Sequence, residues 1–104
     1  VQLPDRRQNR RAKLRWEAAG TVYVDVGFGW VDGHWLPLEV FLVAGKTGTA
    51  LNLAAHDVAE LLSLLLQHGY AIEDLQKRFK PGSLAAFACA AMDEIDRAFR
   101  EEGA

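Results

Sequence analysis

From Thr21 to Phe28 apolar and polar positions alternate: Val22, Val24, Val26 and Phe28 fall on one side, Tyr23 and Asp25 on the other. That period of two predicts a half-buried β-strand. Asp32-Gly33 follows, a pair suited to a two-residue hairpin turn. Leu36 to Val43 predicts the returning strand, with Leu38, Val40 and Leu42 alternating against Glu39 and Phe41. Upstream, Ala12 to Trp16 reads as a short first strand. Residues 1–11 carry no apolar period and read as an extended basic lead-in to a single domain over 12–104. A strict two-residue hairpin would set Val26 opposite Glu39 and bring a charge onto the apolar face, which is costly. One extra residue in either strand moves Val26 opposite Val40 or Leu38. The sequence therefore predicts a bulge near Gly27 and Gly29, or a longer loop of the same effect.

After Thr49 the period becomes helical. Leu51, Ala54, Ala55, Val58, Leu61, Leu62 and Leu65 predict the buried stripe; Asn52, His56, Glu60, Ser63 and Gln67 predict the polar one. Leu64 and Leu66 make the end of this helix apolar almost all round, which predicts packing on more than one side. Gly69 sits where a left-handed C-terminal cap belongs. A short helix through Ile72, Leu75 and Phe79 stops at Lys80-Pro81-Gly82. Ser83 then caps a last helix whose stripe is Leu84, Phe87, Ala91, Ile95 and Phe99. Strands followed by helices predict an α+β fold: a small antiparallel sheet of two to three strands, built on a β-hairpin, with three helices packed on one face. The open sheet edge and the surplus of leucines from Leu61 to Leu66 predict a homodimer.

The chain has 104 residues and a net charge of −2, unevenly placed. Residues 1–16 sum to +5 and residues 17–104 to −7. A basic arm on an acidic body is a possible contact for a phosphate-rich partner. No aromatic platform is interleaved with its arginines, however, as single-strand binders require, so nucleic acid is the weaker expectation. One cysteine, Cys89, excludes an internal disulfide and a cysteine-based zinc site. With no leader-like stretch, it leads to the expectation of a cytoplasmic protein. No apolar run is long enough to span a membrane.

Catalytic chemistry finds little support. Gly45-Lys46-Thr47 resembles the end of a phosphate-binding loop, but the glycine that motif needs five residues before Gly45 is Val40. Gly45, Lys46, Thr47, Gly48 and Thr49 still lie where strand gives way to helix, so free N–H groups and a lysine can hold an anion there; a threonine cap satisfies the same groups. His56 and Glu60 stand one helical turn apart, but two ligands without a third make no metal site. No nucleophile, acid–base pair or cofactor motif emerges. Trp16, Trp30 and Trp35 cluster around the strands in sequence, as a partner surface or as the lid of a small core.

Taken in order, Leu3-Pro4-Asp5-Arg6, Gly20, Val22 to Gly27, Asp32-Gly33, Leu38 to Leu42, Gly45 to Thr49, Leu61 to Gly69, Ile72 to Leu75 and Phe79 resemble the TSCPD domain. That domain lies near the C-terminus of cobalamin-dependent (class II) ribonucleotide reductases and in short stand-alone proteins. The Ser/Thr-Cys-Pro-Asp stretch that names the family is absent; the corresponding region reads Gly82-Ser83-Leu84-Ala85-Ala86. The resemblance implies an accessory module associated with deoxynucleotide metabolism, with a ribonucleotide reductase large chain as partner. It carries over no catalytic residue, because the family's catalytic residues lie outside this domain, and no cofactor; one cysteine cannot supply the thiols that reduction needs.

Overall fold

The computed structural model describes residues 7–103. Three antiparallel strands, β1 (Arg7–Trp16), β2 (Gly20–Val31) and β3 (His34–Ala44), form a meander with β2 in the centre. Three helices follow: α1 (Ala50–Gln67), α2 (Ile72–Gln76) and α3 (Leu84–Glu101). The predicted α+β architecture is the one observed. The helices cover one face of the sheet, on which Val22, Val24, Val26 and Phe28 are fully buried. Burying each such side chain contributes about 1.5–3 kcal/mol. Phe28 stacks on Phe99 of α3 with ring centroids 4.0 Å apart, and Trp35 meets the same ring edge-on at 5.9 Å.

The turn between β2 and β3 is Asp32-Gly33, with φ of 50° and 82°. Positive φ at both positions is the geometry whose twist matches a hairpin. The predicted bulge is present: Gly27 pairs with Glu39 and Phe28 with Pro37, so Leu38 is the extra residue. Val26 thereby lies opposite Val40, and Glu39 turns to the open face beside Arg7, with which it forms an ion pair.

Two expectations are corrected. Residues 7–11, read as a lead-in, form the first half of β1 and pair with Gly29 to Asp25; residues 1–6 of that segment lie outside the described residues. The alternation of β1 is half-buried against exposed, but Gln8 and Arg10 occupy inward positions where an apolar residue would have signalled a strand. Arg10 fills its place by laying its stem along the core: its guanidinium lies 5.0 Å from the Phe99 ring centroid and donates to Glu102 at the end of α3.

The second correction concerns the buried stripe of α1. It is Ala55, Ala59, Leu62, Ser63 and Leu66, while Leu61 and Leu64 are exposed. Ser63, assigned to the polar face from sequence, is buried for a reason the sheet supplies. Its Oγ accepts the Val40 N–H at 3.0 Å and donates to the Ala59 carbonyl at 2.8 Å. Gln67 donates to the Leu38 carbonyl at 3.1 Å. Two polar side chains of α1 thus satisfy backbone groups on the outer edge of β3, which would otherwise offer itself for strand pairing. The opposite edge, β1, is guarded by alternating Arg and Lys.

Both ends of α1 and the start of α3 behave as their sequences predict, whereas α2, expected to run through Phe79, stops at Gln76. Thr49 caps α1 and Ser83 caps α3, each side chain accepting an N–H from three residues on. Gly69, with φ of 97°, closes α1: the Tyr70 N–H reaches the Leu65 carbonyl and the Gly69 N–H the Leu66 carbonyl, the paired bonds of a Schellman cap.

Two outcomes follow from this core. Ser63→Ala strands the Val40 N–H and should lower stability by about 1–3 kcal/mol, read as a fall in the urea midpoint with an unchanged slope; an unaltered midpoint would refute the edge-satisfying role. Cys89 is fully buried in α3 and its burial pushes the thiol up to about 11 from the ordinary value of 9.0. The native chain at pH 8 should resist a thiol reagent that labels it at once in guanidinium. The unfolded chain ionises this thiol first, so stability should hold below about pH 9 and fall toward pH 11. Cys89→Ala should lack that component of the slope.

Candidate functional site

The turn from β3 into α1 is closed by its own residues. Gly45 and Gly48 take positive φ, of 71° and 84°, and let the chain reverse. Thr49 Oγ1 donates to the Lys46 carbonyl at 2.7 Å and accepts the Asn52 N–H at 3.2 Å. The threonine cap foreseen as the alternative to an anion is therefore in place, with Lys46 and Thr47 exposed beside it.

The three tryptophans do not form one surface. Trp16 ends β1 opposite Gly20, ten residues along β2 from Trp30, a separation of roughly 33 Å. Trp16 packs on Phe87 and donates its indole N–H to the Gly82 carbonyl at 3.1 Å. Trp30 and Trp35 meet edge-on at the hairpin, 5.3 Å apart; Trp35 is buried and Trp30 is 38% exposed. All three serve the helix-covered face, so Trp16, Trp30 and Trp35 are chiefly lids on the two ends of the core.

Other candidates for chemistry are inert in their settings. His56 and Glu60 are exposed on α1, and among the described residues no group of three His, Cys, Asp or Glu side chains could hold a metal ion. A cleft of about 380 Å³ opens between the β3 bulge, the α1–α2 turn and α3, lined in part by Leu38, Tyr70, Glu73, Asp93 and Asp96. Asp93 and Asp96 are each paired one turn on, with Arg97 at 2.6 Å and Arg100 at 3.0 Å. Arg100 also donates to the Trp35 carbonyl at 2.9 Å. The two ion pairs lie within α3, and Arg100 ties that helix to β3.

The face of the sheet turned away from the helices is different. By alternation it carries Arg7, Arg11, Lys13 and Arg15 from β1, Tyr23 and Asp25 from β2, and Leu36, Glu39, Phe41 and Val43 from β3. An uncovered antiparallel face is ordinarily polar. Here Tyr23 is 38%, Phe41 51% and Val43 43% exposed. Pairing sets Lys13 beside Tyr23 beside Val43, and Arg11 beside Asp25 beside Phe41. The Arg11 guanidinium lies 5.6 Å, and the Lys13 ammonium 6.0 Å, from the Tyr23 ring centroid. Asp25 Oδ1 is buried among these side chains without a hydrogen-bond partner. One aromatic ring, Tyr23, thus lies against the cations after all, across strands, with Phe41 on the far side of Asp25. Reading along the chain missed them because Tyr23 and Phe41 stand at the outward positions of strands predicted to be half-buried, and Arg11 was assigned to a lead-in. The signal was present in the period of two: large apolar residues at outward positions.

Comparison with curated proteins and with solved structures finds no match. The model of the TSCPD domain matches residues 2–99, reaching beyond the motifs quoted above to take in nearly all of α3. With a match of that extent, the chain belongs to the TSCPD domain family.

Proposed function

We propose that this chain is an accessory binding module linked to deoxynucleotide metabolism, without catalysis of its own. The observation that carries the reading is the uncovered sheet face, where Tyr23, Phe41 and Val43 stand exposed beside Arg11 and Lys13. An apolar and cationic patch of this kind marks a binding surface. The chain belongs to the TSCPD domain family, and its resemblance to the domain near the C-terminus of cobalamin-dependent ribonucleotide reductases supports the metabolic link. Its sole thiol is sealed in the core with its ionisation suppressed, which argues against radical or disulfide chemistry in the isolated chain. No helix among the described residues is long and apolar enough to cross a membrane.

The proposed protein partner is a ribonucleotide reductase large chain, and the proposed contact is the apolar surface of α1. Leu61 and Leu64 project from it, 61% and 47% exposed, along a groove of about 290 Å³ that also involves Val58, Leu65, Phe79 and Ala85. In the isolated chain the same groove is the proposed contact between two copies, giving the expected homodimer. Light scattering at tens of micromolar should then report a dimer, and Leu61→Glu with Leu64→Glu a folded monomer. The doubly substituted chain should also fail to co-purify with a reductase large chain that retains the unsubstituted one. Co-purification indifferent to both substitutions would refute the groove as the contact; failure of the unsubstituted chain to co-purify would refute the partner.

A further inference from the structure

The charges of this molecule are segregated. Residues 17–104 sum to −7, while the outward positions of β1 hold Arg7, Arg11, Lys13 and Arg15. Positions on one face of a strand recur every two residues, about 6.6–6.8 Å, so the row runs for roughly 27 Å from Arg7 to Arg15, interrupted by Asn9. Arg7 is engaged by Glu39 and Arg11 stands opposite Asp25. Lys13 and Arg15 stand opposite Tyr23 and Thr21, with no acid across the strand pair. At that end a shallow hollow of about 310 Å³ is lined by Lys13, Thr21, Tyr23, Val43 and Gly45. It combines a cation, a hydroxyl and an aromatic ring.

We propose that this open face binds single-stranded nucleic acid. The inference rests on the binding-module reading and names the ligand class of its exposed sheet. Phosphates follow the cation row of β1, which outreaches a single nucleotide and suits a continuous strand. Bases lie over β2 and β3, stacking on Tyr23 and Phe41, the arrangement by which sheets and barrels hold unpaired bases. The acids of this face sit on β2 and β3 and the cations on β1, so a backbone is drawn to one side and held off the other. A duplex hides the faces of its bases and cannot use the rings.

The test is fluorescence anisotropy of the full chain with labelled oligo-dT and oligo-rU of fifteen nucleotides and with a duplex of the same length. Either single strand should bind better than the duplex, and the stronger of the two identifies DNA or RNA as the natural source. Tyr23→Ala and Phe41→Ala should each weaken binding about fivefold or more. Lys13→Ala should weaken it and flatten a salt dependence whose log–log slope is about −2 to −3 for three or four phosphates. Both rings are exposed, so these variants should keep the circular dichroism and melting temperature of the parent. The proposal is overturned by no binding at 100 µM chain in low salt, by equal affinity for duplex, or by binding indifferent to both ring substitutions. It is equally overturned if a mononucleotide displaces the strand at micromolar concentration, or if a reductase large chain proves to dock on Tyr23 and Phe41. Failure of the oligonucleotides with intact co-purification through α1 would sink this inference and leave the accessory-module reading standing.

Discussion

Side chains of a strand alternate, so a slip of one residue exchanges the two faces of a sheet. Almost everything in this chain depends on how β2 and β3 hold their parity. Near the turn Trp35 must face inward, against Phe99, while farther along it is Val40, Leu42 and Ala44 that are buried. Position 35 is odd and the others even; no unbroken strand satisfies both. Leu38, the residue without a partner on β2, switches the parity between them. The same switch delivers Glu39 to the open face, across Gly27. A β-carbon on Gly27 would stand in ordinary contact, 3.4 Å from both Asn9 Oδ1 and the Glu39 β-carbon, beneath the ion pair of Arg7 and Glu39.

The bulge was legible because two physical demands collided in the sequence, a tight turn that fixes register and a charge that refuses the core. The strands from Thr21 to Val43, the helix caps at Thr49 and Ser83 and the closing Gly69 were legible for the same kind of reason, each residue type serving one local geometry. β1 was not. Its inward positions include Gln8 and Arg10, whose burial is only partial and depends on Phe99 and Glu102, roughly ninety residues away in sequence. The stripe of α1 was misplaced for a related reason. Hydropathy ranks Leu61 above Ser63, yet the edge of β3 needs a hydroxyl facing it, and a hydrophobic pattern has no means of showing that demand.

The candidate surface was hidden by the same non-locality. The basic segment, Tyr23 and Phe41 are each unremarkable in isolation, and they become one surface only when three strands are laid side by side in register. The residues that sequence did single out make structural contacts of their own. The tryptophans close the two ends of the core, and the glycine–lysine–threonine turn is locked by its own threonine. Conspicuous residues in a small domain are often consumed by folding, and what remains free for a ligand is the face the helices leave uncovered.

The bond between Arg10 and Glu102 has a geometric consequence. Arg10 lies near the start of β1, and Glu102 follows the last turn of α3; their side chains meet at 2.7 Å. Among the described residues, the first half of β1 and the end of α3 therefore lie within side-chain reach of each other. A polypeptide that enters such a unit leaves it where it came in, so the domain can be carried within a surface loop of a larger host at little more than the entropy of closing a short gap. Closeness of entry and exit of this kind is the geometry that insertion into a host chain requires.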